Sequence, residues 1–132
     1  MYLFDSSVWI NFLKNVQSSQ VELLAKSLPE FNVVTCPPLF QEILQGIRVE
    51  GQYNQVNSLL NLATQKISGD PYESGRGAAQ IYRSLRSKGL TIRKPNDCLI
   101  AWYCLENGLT LVHNDKDFDL IALHFPLICW SE

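Results

Sequence analysis

Four short apolar runs, MYLF (1–4), FNVVTC (31–36), LTLVH (109–113) and PLICW (126–130), recur along the chain with helix-forming stretches between them. Each run suits a strand and is too short for a buried helix. Strands that alternate with helices pair in parallel, because every connection must cross back over the sheet, so the pattern predicts an α/β fold. In such folds the carboxyl ends of the strands and the starts of the following helices share one edge, where ligands bind. Polar residues directly after the strands are therefore the first candidates for chemistry.

After MYLF, Ser6 or Ser7 is placed to cap a helix through VWINFLK. A second helix covers 18–28 and stops before Pro29, and Pro37 and Pro38 open a third. There Phe40, Ile43, Leu44 and Ile47 follow the spacing of one buried face, from whose centre Glu42 falls away. Residues 52–63 continue as helix, KISGDPYESG (66–75) reads as a connection, and Ala78, Ile81, Tyr82 and Leu85 mark a helix over 76–87. GRGAAQ (75–80) reads as the start of that helix, since a phosphate loop would need a preceding strong strand and a third matching glycine. LTI (90–92) is a short extended piece or the approach to the next helix, predicted over 95–107. That helix contains CLIAWYCL, eight apolar residues without a charge, which places it deep in the fold. Gly108 ends it, and DFDLIAL forms a short helix before the last strand.

The length of 132 residues fits one domain over 1–132, and 46% apolar with 18% charged residues is globular rather than disordered composition. No apolar run reaches the roughly 18 residues of a membrane span, and MYLFDSSVWINFLKN lacks the basic start of a signal peptide. Cys36, Cys98, Cys104 and Cys129 have apolar surroundings and no CxxC spacing, and only two histidines are present. Free thiols in a reducing cytoplasm are the simpler expectation than a structural zinc site. Packing alone accounts for Trp9, Trp102 and Trp130.

A net charge of −2 gives no overall attraction to nucleic acid, but it conceals an asymmetry. Arg76, Arg83, Arg86, Lys88, Arg93 and Lys94 fall in one window free of acidic residues, with Arg76, Arg83 and Arg86 on one helix face. Asp5 directly follows the first strand, Asp115 follows LTLVHN, and Asp97 opens the buried helix, so the topology places three carboxylates distant in sequence at one edge. Each alone is explained as a cap or a first-turn charge. Gathered, they repel unless a cation neutralises them, and oxygen-only ligands favour Mg²⁺ or Mn²⁺.

YLFDSSVWI (2–10), FQEILQGI (40–47) and RKPNDCLIAWYCLENGLTLVHNDKDFDLIA (93–122), in this order and spacing, resemble PIN-domain proteins, particularly VapC-type toxin ribonucleases of toxin–antitoxin pairs. The resemblance spans essentially the whole chain. It implies a three-layer α/β/α fold around a parallel sheet of four to five short strands, and metal-dependent cleavage of RNA that leaves a 5′-phosphate and a 3′-hydroxyl.

On this resemblance Asp5, Glu42, Asp97 and Asp115 match the acidic quartet, with Asp117 a supplementary carboxylate. Asp5 and Asp97 are the expected direct ligands of Mg²⁺ or Mn²⁺, joined by Asp115 and Asp117 in a first or second shell, and Glu42 would orient or deprotonate the attacking water. Ser6 matches a hydroxyl position that positions water or phosphate, or else caps its helix. His113 stands where many relatives carry a small hydroxyl residue, and a structural role is expected for it. Asp119 is expected as a solvated charge. Arg76, Arg83, Arg86, Arg93 and Lys94 are the candidate RNA contacts, against a plain solvated face. The resemblance also implies a cognate antitoxin and a homodimer or higher toxin–antitoxin assembly. Two other readings are a receiver-like phospho-acceptor module, which needs an aspartate at the end of a mid-chain strand, and a PIN-like binding domain without catalysis.

Overall fold

The computed structural model describes residues 1–132. Five short strands form one wholly parallel sheet: β1 (Tyr2–Phe4), β2 (Val33–Thr35), β3 (Thr64–Gln65), β4 (Thr110–Val112) and β5 (Ile128–Cys129), in the order β3-β2-β1-β4-β5. The central strand β1 carries Leu3 and Phe4, both fully buried, between the equally apolar β2 and β4. Strands covered on both faces have no need of alternating polarity. The order reverses at β1: the chain winds one way through β2 and β3, then returns to β4 on its other side.

Seven helices make the crossovers: α1 (Ser6–Leu13) and α2 (Ser19–Ser27), α3 (Pro37–Leu44) and α4 (Glu50–Leu60), α5 (Glu73–Ser87) and α6 (Pro95–Asn107), and α7 (Lys116–His124). With right-handed crossovers, reversing the winding direction moves the connecting helices to the opposite face. The packing follows: α1 sits on α2 and α3, and α3 on α4, while α5, α6 and α7 pack on one another. All 29 buried apolar residues form one connected cluster, so the two helical layers and the sheet share one core. No helix is long and apolar enough to cross a membrane.

α6 is buried along most of its length, from Cys98 and Ile100 to Cys104, as its uncharged run requires. It begins with Pro95 and ends at Gly108, whose left-handed φ of 60° suits a residue without a Cβ. Burial pushes the Cys36 thiol up to about 12 and Cys98 up to about 11, so both stay protonated at neutral pH.

Local expectations needed correction at four places. The N-cap of α1 is Asp5, not Ser6 or Ser7; Ser7 Oγ instead donates to Asp5 Oδ2 at 2.9 Å. Helix does not continue from α3 into 52–63, because 45–49 interrupt it and α4 starts afresh at Glu50. LTI leads into α6 without forming an element, as the second of its two readings had it, and α5 begins inside the expected connection, at Glu73. β3 was not anticipated: both its residues are exposed and it pairs only with β2. It bears no aspartate and is followed by Lys66 and Ile67, so the phospho-acceptor arrangement of a receiver has no counterpart here.

Candidate active site

The switch in strand order leaves a crevice at the carboxyl ends of β1 and β4. Asp5 leaves β1 there, its backbone N–H tied to the Val112 carbonyl of β4 at 2.9 Å. Asp97 enters in the first turn of α6, and Asp115 caps α7 by accepting from the Asp117 N–H at 3.0 Å. Glu42 reaches in from α3, half-buried, although the apolar pattern of that helix alone would have left it in solvent. The quartet and Asp117 thus form two overlapping groups, Asp5–Glu42–Asp97 and Asp97–Asp115–Asp117, with candidate ligand oxygens in each within 4.8 Å of one another.

The two groups differ in their charge balance. In the first, Asp5 Oδ1, Glu42 Oε2 and Asp97 Oδ2 are buried with no hydrogen-bond partner, and Asp5 and Asp97 are only 6% and 3% exposed. Burial first, and then the charges of Asp5, Asp115 and Glu42, push the Asp97 carboxyl up to about 7. Glu42 is raised as well, by burial and by Asp5, against the lowering influence of Lys94 and the Ser6 hydroxyl. Orphaned carboxylate oxygens converging at this range suit a hard divalent cation bound by oxygen.

In the second group, Arg93 pairs with Asp115 and Asp117. Its Nη2 meets Asp115 Oδ1 at 3.1 Å, its Nε meets Asp117 Oδ2 at 3.3 Å, and its backbone N–H donates to the same Asp117 oxygen at 3.0 Å. Arg93 is a candidate RNA contact from its sequence; its tie to the aspartates depends on the loop before α6 lying against the start of α7, a long-range contact that no local motif reveals.

Ser6, Glu42, Gln45, Arg93, Lys94, Pro95 and Asn96 line an open, polar cavity of about 620 Å³ in front of the first group. Arg93 and Lys94 are therefore beside the carboxylates, whereas Arg76, Arg83 and Arg86 line no part of this cavity. These three engage Asp70, Gln80 and the Tyr82 ring, respectively. Ser7, considered in the sequence only as a cap, is the hydroxyl that holds Asp5.

His113 Nδ1 accepts the Asp115 N–H at 3.0 Å, which leaves the ring proton on Nε2, facing Asp119 Oδ1 at 3.2 Å. His113, Asp119 and Cys129 also lie within 4.8 Å of one another, but the protonated Nε2 has no lone pair to offer a metal. The imidazole thus holds the Asp115 backbone at this turn, and Asp119, though exposed, faces it.

The PIN domain family profile matches residues 2–123. The chain is 34% identical over 124 residues to VapC ribonuclease Mb1587 of Mycobacterium bovis and to ribonuclease VapC11 of Mycobacterium tuberculosis, covering 92% of this chain and of each relative. Among solved structures it resembles VapBC-1 from nontypeable Haemophilus influenzae, with a TM-score of 0.73 and 21% identity over 98% of this chain and 96% of that one. VapBC2 from Rickettsia felis, bound to a DNA fragment from its promoter, gives a TM-score of 0.72 with 22% identity and 98% coverage of both chains.

Proposed function

The chain belongs to the PIN-domain family, with VapC ribonucleases among its relatives, and on that premise we propose that it is a metal-dependent endoribonuclease, the toxin of a toxin–antitoxin pair. The observation that carries this reading is the set of three unpartnered carboxylate oxygens on Asp5, Glu42 and Asp97, buried at a sheet edge beside an open polar cavity. Asp5 and Asp97 would hold Mg²⁺ or Mn²⁺. Such an ion supplies an activated water and stabilises the charge that builds on a phosphodiester during in-line displacement.

The remaining roles belong to side chains of this chain. Glu42 stands in the cavity wall beside Ser6, within reach of a water at the site. It takes the proton of the attacking water, and the Ser6 hydroxyl orients that water or a phosphate oxygen. Lys94 offers its ammonium to the RNA backbone from the same wall. Asp115 and Asp117 close the far side of Asp97, held in place by Arg93. The family pattern of partner use extends the proposal to a cognate antitoxin, a homodimer or higher assembly, and a cytoplasmic site of action.

Incubating the purified chain with a long single-stranded RNA tests the reading. Internal cuts that require Mg²⁺ or Mn²⁺, cease with chelator and leave 5′-phosphates are expected. Cuts that persist in chelator, or that leave 2′,3′-cyclic phosphates, would assign the chemistry to a 2′-hydroxyl attack and contradict it.

A further inference from the structure

Two carboxylate groups that share Asp97 offer room for two cations, yet only one of them lacks a counter-charge. Resting on the metal-dependent reading above, we propose that Arg93 is a built-in counter-cation for Asp115 and Asp117, standing in for a second divalent ion, so that the chain binds one ion, held by Asp5 and Asp97 beside Glu42.

Three observations carry this. First, the guanidinium contacts both aspartates at once, and both side chains are largely buried, at 17% and 12% exposed. Second, the backbone N–H of Arg93 donates to Asp117 Oδ2, which seats the residue so that its guanidinium meets both carboxylates. Third, the buried orphaned oxygens lie on Asp5, Glu42 and Asp97, the three members of the first group, of which only Asp97 is shared with the second. Lys94 shares the cavity wall with Glu42 but makes no ion pair with it, so the first group keeps its need for a cation.

The arrangement separates two tasks that a pair of ions would share. The ion serves the cavity in which Glu42 and Ser6 act, and Arg93, 72% exposed on the same cavity wall, fixes the start of α7 and retains outward-facing N–H groups for a phosphate.

Counting Mn²⁺ bound to the intact, chelator-stripped protein, by the loss of the free-ion paramagnetic resonance signal, tests the proposal. The wild type should bind one ion per chain, and Arg93→Lys should do the same. Arg93→Gln should bind two, because the second group then carries uncompensated charge, and adding Asp117→Asn to that variant should return the count to one. The exposure of Arg93 makes the substitutions compatible with folding, which far-ultraviolet circular dichroism checks. Two ions in the wild type, or one in Arg93→Gln, would overturn the proposal while leaving metal-dependent cleavage standing. No Mn²⁺ bound by the wild type would overturn both.

Discussion

Asp97 lies in the buried first turn of α6 with its carboxyl raised to about 7, first by burial and then by the charges of Asp5, Asp115 and Glu42. In the unfolded chain it titrates near 3.8. Between these values the folded state binds more protons than the unfolded one, so its contribution to stability is full at low pH and is lost as pH rises through about 7. Metal-free thermal melts should therefore show the wild type losing stability relative to Asp97→Asn between pH 4 and pH 7, with no further divergence above. At pH 8 without metal Asp97→Asn should be the more stable protein by roughly 1–3 kcal/mol. Mn²⁺ should restore stability to the wild type and leave Asp97→Asn unmoved. A difference between the two proteins that did not change with pH would contradict the electrostatic account. Asp5, Asp97 and Asp115 were legible as candidates because each follows a strand or opens a helix. Glu42 was legible only through the family resemblance, since its place at the site depends on how α3 crosses the sheet.

At the scale of elements, the contact between α5 and α6 contains a constraint that no periodicity reveals. Gly77 lies against the indole of Trp102, and a Cβ at that position would overlap the ring. In the sequence this glycine was one letter of GRGAAQ, explained as part of a helix start; its actual reason is the close approach of a large side chain from another helix. Gly77→Ala should cost about 1–3 kcal/mol by overpacking, read as a lower midpoint in urea denaturation, and Trp102→Leu in the same chain should recover part of the loss. A neutral Gly77→Ala would mean that the two helices move apart freely. The helices with caps, apolar stripes or an uncharged run were readable, and so were the strands whose residues are buried. β3 was not, because two exposed residues carry no apolar signal and become a strand only by lying beside β2.

Across the whole molecule, charge is arranged by the fold rather than by sequence proximity. The basic window splits: Arg93 and Lys94 face the polar cavity, while Arg76, Arg83 and Arg86 remain on α5 with partners of their own. Removing Lys94 as Lys94→Ala should weaken RNA binding and lower the salt slope by about one, as expected for one lost phosphate contact. Arg83→Ala should change the slope less, measured by titrating labelled RNA at several salt concentrations; equal effects would put α5 back on the RNA path. The sequence could place these cations in one window but not on two surfaces, because the turn between α5 and α6 decides which way each points. The sheet reversal gathers the carboxylates, and the proposed chemistry depends on that gathering. The most direct measurement is cleavage of a mixed RNA pool in Mg²⁺ or Mn²⁺ by the wild type beside Asp5→Asn and Asp97→Asn. Metal-dependent cutting by the wild type and its loss in both variants is the predicted result; equal cutting by all three proteins would contradict the assigned site.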